Sequence, residues 1–546
     1  MYAISQKMKD TLKVSHRPMT VVKVLSISGK TYTIPVSGGT VTIDRKSTES
    51  RRTMSFTVET DSFTQSDGTV VNLVPQQADD PLNIYGNHAY IYRGVLWNSS
   101  GIDPKLETCN APIPKSLLVP ANGAYELVPL GVFRITSVNI SEQDSGAVSI
   151  TVEGSDLSSN IAKNSWITPV TVWKTAYTPP VTKKGTTVQP QKYVANTVKE
   201  AITKLIYDRW PDHSGIFGTL SSDDFNFSGV LDTQLAHPVV MGSGNISTSG
   251  SNSPWADIMS LAAGMGAELF LDNDGKFTLR KVADPNGVAP VWDILDGDSN
   301  GQGGLLLSST RHLSADNIRN YVIATGENTS TKTPLKAIAA DSDPTSPTYY
   351  KGTFGKVVGY EAGRKKLTTQ AEVQNAADTY LNYFIGGDES VSLTSVVNPA
   401  LDVGDVIRVR RKRIGIFNPE AVVSSLTADT GTSAITSMKV SPMRQDIKAG
   451  ETLHIYTDYL VQTVTTSRAH TKGDTTLYVK SFTPKSDFRK GTVITDPAIP
   501  SNGSVNYLID QISIPLEPEG SMSITARERR IGSRLDAIRS AQYGQQ

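Results

Sequence analysis

One cysteine, Cys109, is present in 546 residues, so no disulfide can form within the chain and thiolate-rich metal sites are excluded. Histidine is nearly as sparse. His16, His88, His213, His237, His312, His454 and His470 stand one at a time, without the HExxH or HxH spacing that sets two on one face. Net charge is missing too: Lys plus Arg and Asp plus Glu are both 53, which leaves the whole molecule no electrostatic drive toward phosphate or an anionic membrane. Long apolar runs are also lacking. The most apolar stretch, Leu261 to Leu271, is short and contains Glu268, so no membrane span is expected. A GxSxG elbow, a Walker loop and a GxGxxG after a strand are all absent, which removes local support for hydrolase or nucleotide chemistry. The chain is therefore expected not to be an enzyme and to need no cofactor or metal. Its opening, MYAISQKMKDTLKVSH, is amphipathic with Lys7, Lys9 and Lys13 and lacks the apolar run of a secretory signal. Synthesis in a bacterial cytoplasm, with release by lysis, is the expectation.

What is present is mainly β. The chain is too long for one core and is read as several domains. Glycine (43) and proline (29) are plentiful and β-branched residues recur throughout, the composition of short strands joined by turns. From Thr20 to Trp166 the runs VVKVLSI, TYTIPV, GTVTIDR, RTMSFTVET, HAYIYRGVL, LGVFRITSVNISE and AVSITVEG alternate apolar with polar, which predicts a barrel or sandwich over residues 1–166. Residues 167–192 are rich in Thr, Pro, Val and Lys, without a period, and read as a linker or extended arm.

Helical spacing then appears. Val194, Val198, Ala201, Ile202, Leu205 and Ile206 share one face and Pro211 closes the segment. Ser253 as cap and Pro254 as first residue announce a second helix, with Trp255, Ile258, Met259 and Ala262 on its apolar side. AELFLDNDGKFTLR behind it is a hairpin around Asn273, Asp274 and Gly275, and residues 193–290 form a small α+β unit. A second α+β unit is expected over 291–398, with strands at NYVIATGEN and LKAIAAD. Its helix is capped by Thr369 and Glu372, carries Val373, Ala376, Ala377, Tyr380, Leu381 and Phe384, and stops at Gly386 and Gly387.

Three features bear on function. The loop from Asp296 through Asp298 to Asn300 matches the first half of a calcium loop, but position twelve is Leu307 where a bidentate Glu is needed, so a surface turn is the reading. Asp272 and Asp274 are read as hairpin turn residues and not as metal ligands. Residues 417–503 hold a weak repeat: ITSMKVSPMRQDIKAGETLHI and TTLYVKSFTPKSDFRKGTVIT align Val440 with Val479 and Gly450 with Gly491, which predicts an all-β duplicated module. Last, VGDVIRVRRKRIG places Arg408, Arg410 and Lys412 on one side of a strand and Ile407, Val409, Arg411 and Arg413 on the other. No stacking aromatics adjoin the run, so an edge or interface strand blunted by charge is preferred over a DNA grip. Its expected partner strand is YLIDQISI. Arg527 and Arg529 behave similarly in ARERRIGSR, where Ser533 caps a short helix.

The order of GTVTIDRKSTESRRTMSFTV, IYGNHAYIYRGV, VPLGVFRITSVNISE, SITVEGSDLS, WADIMSLAAGMGAELFLDNDGKFTLR, NPALDVGDVIRV and YLIDQISIPLEPEGSMSITARE resembles the minor tail proteins of long-tailed actinobacteriophages, in the tail-tip or baseplate-hub family. The resemblance covers most of the chain apart from 417–503. It implies a homotrimer with two tail-tube-like β domains, the first at 1–166 and the last built from 399–416 with 504–532, followed by a tail at 533–546. Such a protein would sit at the distal tip of the virion tail, close the tube, contact a tube or distal tail protein, other minor tail proteins and the tape-measure protein, and surround a channel that DNA crosses without sequence-specific binding. Under it Arg408, Arg410, Lys412, Arg527 and Arg529 are candidate inter-subunit or channel-facing residues. The inserted module leaves two rivals open: a receptor-binding protein that recognises a host-surface glycan, and a tail-borne cell-wall hydrolase.

Overall fold

A computed structural model describes residues 1–164 apart from 46, 48 and 67; 170–173, 193–210, 220–232, 239–241, 253–264, 267–281 and 289–295; 305–327 without 317; 333–361 without 343 and 345–347; 370, 373–374, 377–378 and 381; 388–410, 421–428, 435–440, 443 and 446–456; 461–482 without 472–473; and 493–495 and 505–527.

After α1 (Gln6–Thr11), the alternating runs of the first third become β1 (Arg17–Leu25), β2 (Thr31–Ile34), β3 (Gly38–Asp44), β4 (Arg52–Val58), the small pair β5 (Ser62–Thr64) and β6 (Val70–Asn72), then β7 (His88–Leu96), β8 (Tyr125–Glu142) and β9 (Val148–Asp156). Short helices α2 (Lys105–Thr108) and α3 (Lys115–Leu118) lie between β7 and β8, and α4 (Ser159–Ala162) follows β9. In β4 the order of Arg52 to Val58 is buried, exposed, buried, half-buried, buried, half-buried, buried, the period-2 pattern that sends Met54, Phe56 and Val58 to the core and Thr53, Ser55 and Thr57 to the other face.

Residues 170–173 lie inside the expected linker, yet they form β10 (Val170–Trp173), with Val170 and Val172 buried. The Thr/Val alternation of VTVW is itself a half-buried strand signal, and the surrounding prolines masked it. β10 pairs with β11 (Tyr193–Val194) and β13 (Val239–Met241), and joins the core of the α+β unit of α5 (Val198–Arg209), β12 (Phe225–Asn226), α6 (Pro254–Gly264), β14 (Ala267–Leu271) and β15 (Phe277–Lys281). The expected face of α5 is the buried one at Ala201, Ile202, Leu205 and Ile206, with Thr197 accepting from Glu200 N as cap. Ser253 immediately precedes α6, and its hydroxyl donates to Ala162 O at 3.1 Å. Phe277 stacks on Phe225 (5.4 Å) and takes Trp210 edge-on (5.6 Å).

The rest of the chain departs from the expected units. β16 (Trp292–Leu295), β17 (Leu306–Ser314) and β21 (Asp388–Ser395) belong to the large sheet and not to an α+β unit of 291–398. Between them β18 (Tyr321–Glu327), β19 (Pro334–Ala340) and β20 (Val358–Glu361) make a three-stranded sheet, against which Val373, Ala377 and Leu381 pack. The cap and stop residues expected for that helix lie outside the described residues. Next come β22 (Val406–Arg410), then β23 (Ala421–Ala428), β24 (Ile435–Val440), β25 (Thr452–Tyr456), β26 (Val461–Thr465), β27 (Thr476–Phe482) and β28 (Val493–Thr495), and finally β29 (Val505–Pro515) and β30 (Met522–Arg527).

One thirteen-stranded sheet unites the two ends of the chain. Its order is β17-β21-β30-β29-β3-β4-β9-β8-β7-β1-β2, with β22 beside β29 and β16 beside β22. The N-terminal and C-terminal β regions are thus joined edge to edge, β29 to β3, with Ile512 opposite Ile43 and Ile514 opposite Val41. A single apolar cluster runs through both, from Val41, Phe56 and Ile150 to Val391, Ile512 and Ile524. β22 pairs antiparallel with β29, Ile407 opposite Tyr507 and Val409 opposite Val505, the partner expected for it.

The strands between β22 and β29 form their own six-stranded sheet, ordered β26-β25-β28-β23-β24-β27. Equivalent strands of the two sequence repeats pair with each other, β24 with β27 and β25 with β28, all antiparallel. The flanking pairs match as well, β23 with β28 and β26 with β25. Two copies of a three-strand unit related by an approximate twofold give this arrangement.

Candidate assembly surfaces

Three regions bring functional groups together: a buried junction, the basic strand β22, and one face of the large sheet. The junction is built where β4, the β14–β15 hairpin and the turn before β22 meet. Arg52 is 0% exposed, and its guanidinium donates to Leu130 O (3.1 Å), Leu271 O (3.2 Å), Asn273 Oδ1 (2.7 Å) and Asp402 Oδ2 (2.8 Å). A planar fork of five donors suits acceptors converging from three segments, which an ammonium could not satisfy together. Beside it Glu268 on β14 takes Arg45, Arg51 (3.4 Å) and Arg280 (3.9 Å). Arg51 also donates to Val403 O (3.1 Å) and lies 4.0 Å from the Phe270 ring centroid. Asp510 on β29 is 3.6 Å from Arg45.

The electrostatics follow from burial and count. Burial pushes the Asp402 carboxyl up, but Arg52, Arg51 and Arg280 outweigh it and hold it at about 2. Asp510 goes the other way: burial raises it, Arg45 offsets only part, and Glu268 and Asp44 push further, to about 6. Burial brings Arg51 down to about 10 against the pull of Glu268. Gly404 has φ +81°, and a Cβ there would sit 2.3 Å from Arg280 Nη2, so the turn and the guanidinium need glycine. Only the tertiary structure makes this a site. Its signals in the sequence are a paired Arg51-Arg52 at a strand start and a lone Glu268 within AELFL.

Of the two alternatives read for β22, an edge strand or an interface strand, the first does not hold. β22 lies between β29 and the parallel strand β16, which places Asp293 opposite Arg408. Arg408 Nε donates to Asp293 Oδ1 (2.8 Å) and Nη2 to Oδ2 (2.5 Å), a bidentate pair within the chain. Arg410 is half-buried at the end of β22, opposite Leu295. Arg527 closes β30 opposite Ser390 and Leu508. Lys412, Arg529, Ser533 and the loop from Asp296 to Asn300 lie outside the described residues. Asp272 does act as a turn former: Oδ1 accepts from Asp274 N and Lys276 N, both at 3.0 Å.

The third region is a face that the sequence reading did not single out. Ser308, Thr394, Ser523, Ser513, Thr42, Thr53 and Ser155 stand opposite one another in one row across β17, β21, β30, β29, β3, β4 and β9. Thr310, Ser392 and Thr525 make a second row, continued by Gln511 and Asp44. The row crosses the β29–β3 joint without a break, and Thr42 Oγ1 is 3.2 Å from Ser513 Oγ. Among the described residues, no helix is long and apolar enough to cross a membrane, and no three His, Cys, Asp or Glu side chains gather as a metal site requires.

No protein-family model and no curated protein matches the sequence. Solved structures do. The chain is similar to a tail protein of Neisseria meningitidis MC58, at 11% identity and TM-score 0.46, with 94% of this chain and 98% of that one covered. It is similar to the 43 kDa tail protein of prophage MuSo2 from Shewanella oneidensis, at 9% identity and TM-score 0.45, covering 94% and 99%. A third is the prophage tail protein gp18 from Listeria monocytogenes EGD-e, at 7% identity and TM-score 0.39, covering 96% and 100%.

Proposed function

We propose that this chain is a structural protein of a phage tail, acting at the distal tip as a hub whose copies form a ring around the channel that DNA crosses. The observation that carries the reading is the row of hydroxyl side chains running unbroken across the β29–β3 joint. DNA binds a wall chiefly by exchanging counterions for Lys and Arg. Rows of Ser and Thr offer hydration without that exchange, which suits a surface along which a polyanion must slide. The opposite side of the same strands is apolar and buried, so the sheet is shaped as a wall with one wet face. Arg410 and Lys412 belong to the proposal as residues at the boundary with a neighbouring copy or tail protein, while Arg408 holds Asp293 of its own chain.

The test is the mass of the purified chain and of the tail tip, followed by imaging of the assembled tip. A threefold ring with Thr42, Thr53 and Ser513 facing its axis is the expected result; a monomer in the virion would sink the hub. The separate sheet of 421–495 favours a second reading, in which this module meets the host surface. Particles lacking the module that assemble yet fail to adsorb would favour that role, and particles that fail to assemble would favour a role within the tip.

A further inference from the structure

The three-stranded sheet of β18, β19 and β20 has two faces with different fates. On one, Val322, Ala324, Ala337 and Ala339 are buried against Val373, Ala377 and Leu381. On the other, the register sets Tyr321 between Ala340 and Val358 and puts Ile323 opposite Ile338. This second face is apolar yet open: Ile338 is 44% exposed and Val358 47% exposed, where the period-2 pattern would ordinarily place polar side chains. A tyrosine-bearing loop borders it, with the Tyr349 and Tyr350 rings 5.6 Å apart and Tyr350 5.9 Å from Tyr321. The loop is held from below. Asn320, 0% exposed, donates to Thr348 O (2.8 Å) and Gly355 O (2.6 Å) and accepts from Val357 N (2.7 Å), and Thr348 donates to the buried Asp341 (2.7 Å). Three exposed lysines complete the rim. Lys336 stands on the face itself, two places before Ile338. Lys356 Nζ lies 3.7 Å from the Tyr321 ring centroid and Lys351 Nζ 5.3 Å from that of Tyr350. Among the described side chains of this face there is no carboxylate to answer them.

We infer that this face docks an acidic segment of a different tail protein, with apolar side chains set on Ile338 and Val358 and carboxylates set toward Lys336, Lys351 and Lys356. The inference rests on the reading of the chain as a tail protein. An apolar centre ringed by charge of one sign has the layout of a protein interface, and the sign of the rim selects the partner. A nucleic acid fits less well. It would need open aromatic faces for its bases, whereas Lys356 already lies over Tyr321 and the centre of the face is aliphatic. Because Asn320 and Asp341 fix the loop before anything binds, little ordering cost falls on this side of the contact.

The experiment uses the full chain in assembled particles. p-Benzoylphenylalanine replaces the exposed Ile338, the particles are irradiated, and the cross-linked peptides are mapped by mass spectrometry. A link to another tail protein, in a segment with more Asp and Glu than Lys and Arg, supports the docking. A link to a second copy, to DNA or to a segment without negative charge overturns it, as does the absence of any link. In parallel, Lys336→Glu combined with Lys356→Glu is expected to cut the cross-link per incorporated chain by about tenfold, while Lys336→Arg with Lys356→Arg keeps it; equal yields in the two overturn the role of charge and the proposal with it. The two readings fail separately: particles that never contain the chain overturn its place in the tail, and particles that contain it without the link overturn this surface alone.

Discussion

Arg52 shows how one side chain can hold a multidomain chain together. It is buried and donates to four acceptors from β8, the β14–β15 hairpin and the turn at Asp402. Removing one partner of a buried ion pair leaves the other charge without compensation, which costs about 3–5 kcal/mol. Arg52→Met is therefore expected to lower stability by about 3 kcal/mol in denaturant titrations, the lower end of that range, because Arg51 and Arg280 remain near Asp402. pH separates the two buried carboxyls. Asp402 is held at about 2, so its contribution is present above the unfolded carboxyl range near 4 and is lost as pH falls toward 2. Asp510 is raised to about 6; its contribution is full below pH 4 and is lost as pH rises through 6. Asp510→Asn is expected to gain stability relative to the native chain between pH 4 and pH 7, read as a shift in denaturant midpoint. Equal pH dependence in the two proteins would count against the raised carboxyl. None of these roles could be read from spacing, because Arg52 and Asp402 are 350 residues apart.

Strands were legible where period and turn signals agreed. RTMSFTV alternates cleanly and becomes β4, and DNDG between two apolar runs becomes the turn of the β14–β15 hairpin. The pairing of β22 with β29 was also legible, since two alternating runs flank an insertion and the ends of a hairpin stay adjacent when a domain enters its tip. A prediction follows: replacing 411–504 by a short turn leaves the host sheet folded, because Val409 and Val505 already stand opposite each other. The measurement is calorimetry of the shortened chain, in which the transition of the module disappears and that of the host stays. VTVW at 170–173 was misread because its neighbours are proline-rich. The place of β16 was illegible for another reason. A parallel partner lies 115 residues away and leaves no local mark.

At the scale of the molecule, the sheet is the organising unit. It takes strands from both ends of the chain, buries one face in a shared core and leaves the other lined with hydroxyls. The duplicated module is inserted between β22 and β29, with its own sheet and approximate twofold pairing of equivalent strands.

The sequence alone determined the mainly β character, the α+β unit, the duplicated module and the hairpin that carries it. Each of these rests on periodicity or on turn chemistry, which act over a few residues. Only the tertiary structure decided that β29 joins β3, that Arg408 is answered by Asp293, and that arginines from the first sixty residues hold carboxylates beyond 250. The reason is physical: a strand's pattern fixes which face is buried, but its edges are identical backbone, so the choice of neighbour is made by the packing of the whole core.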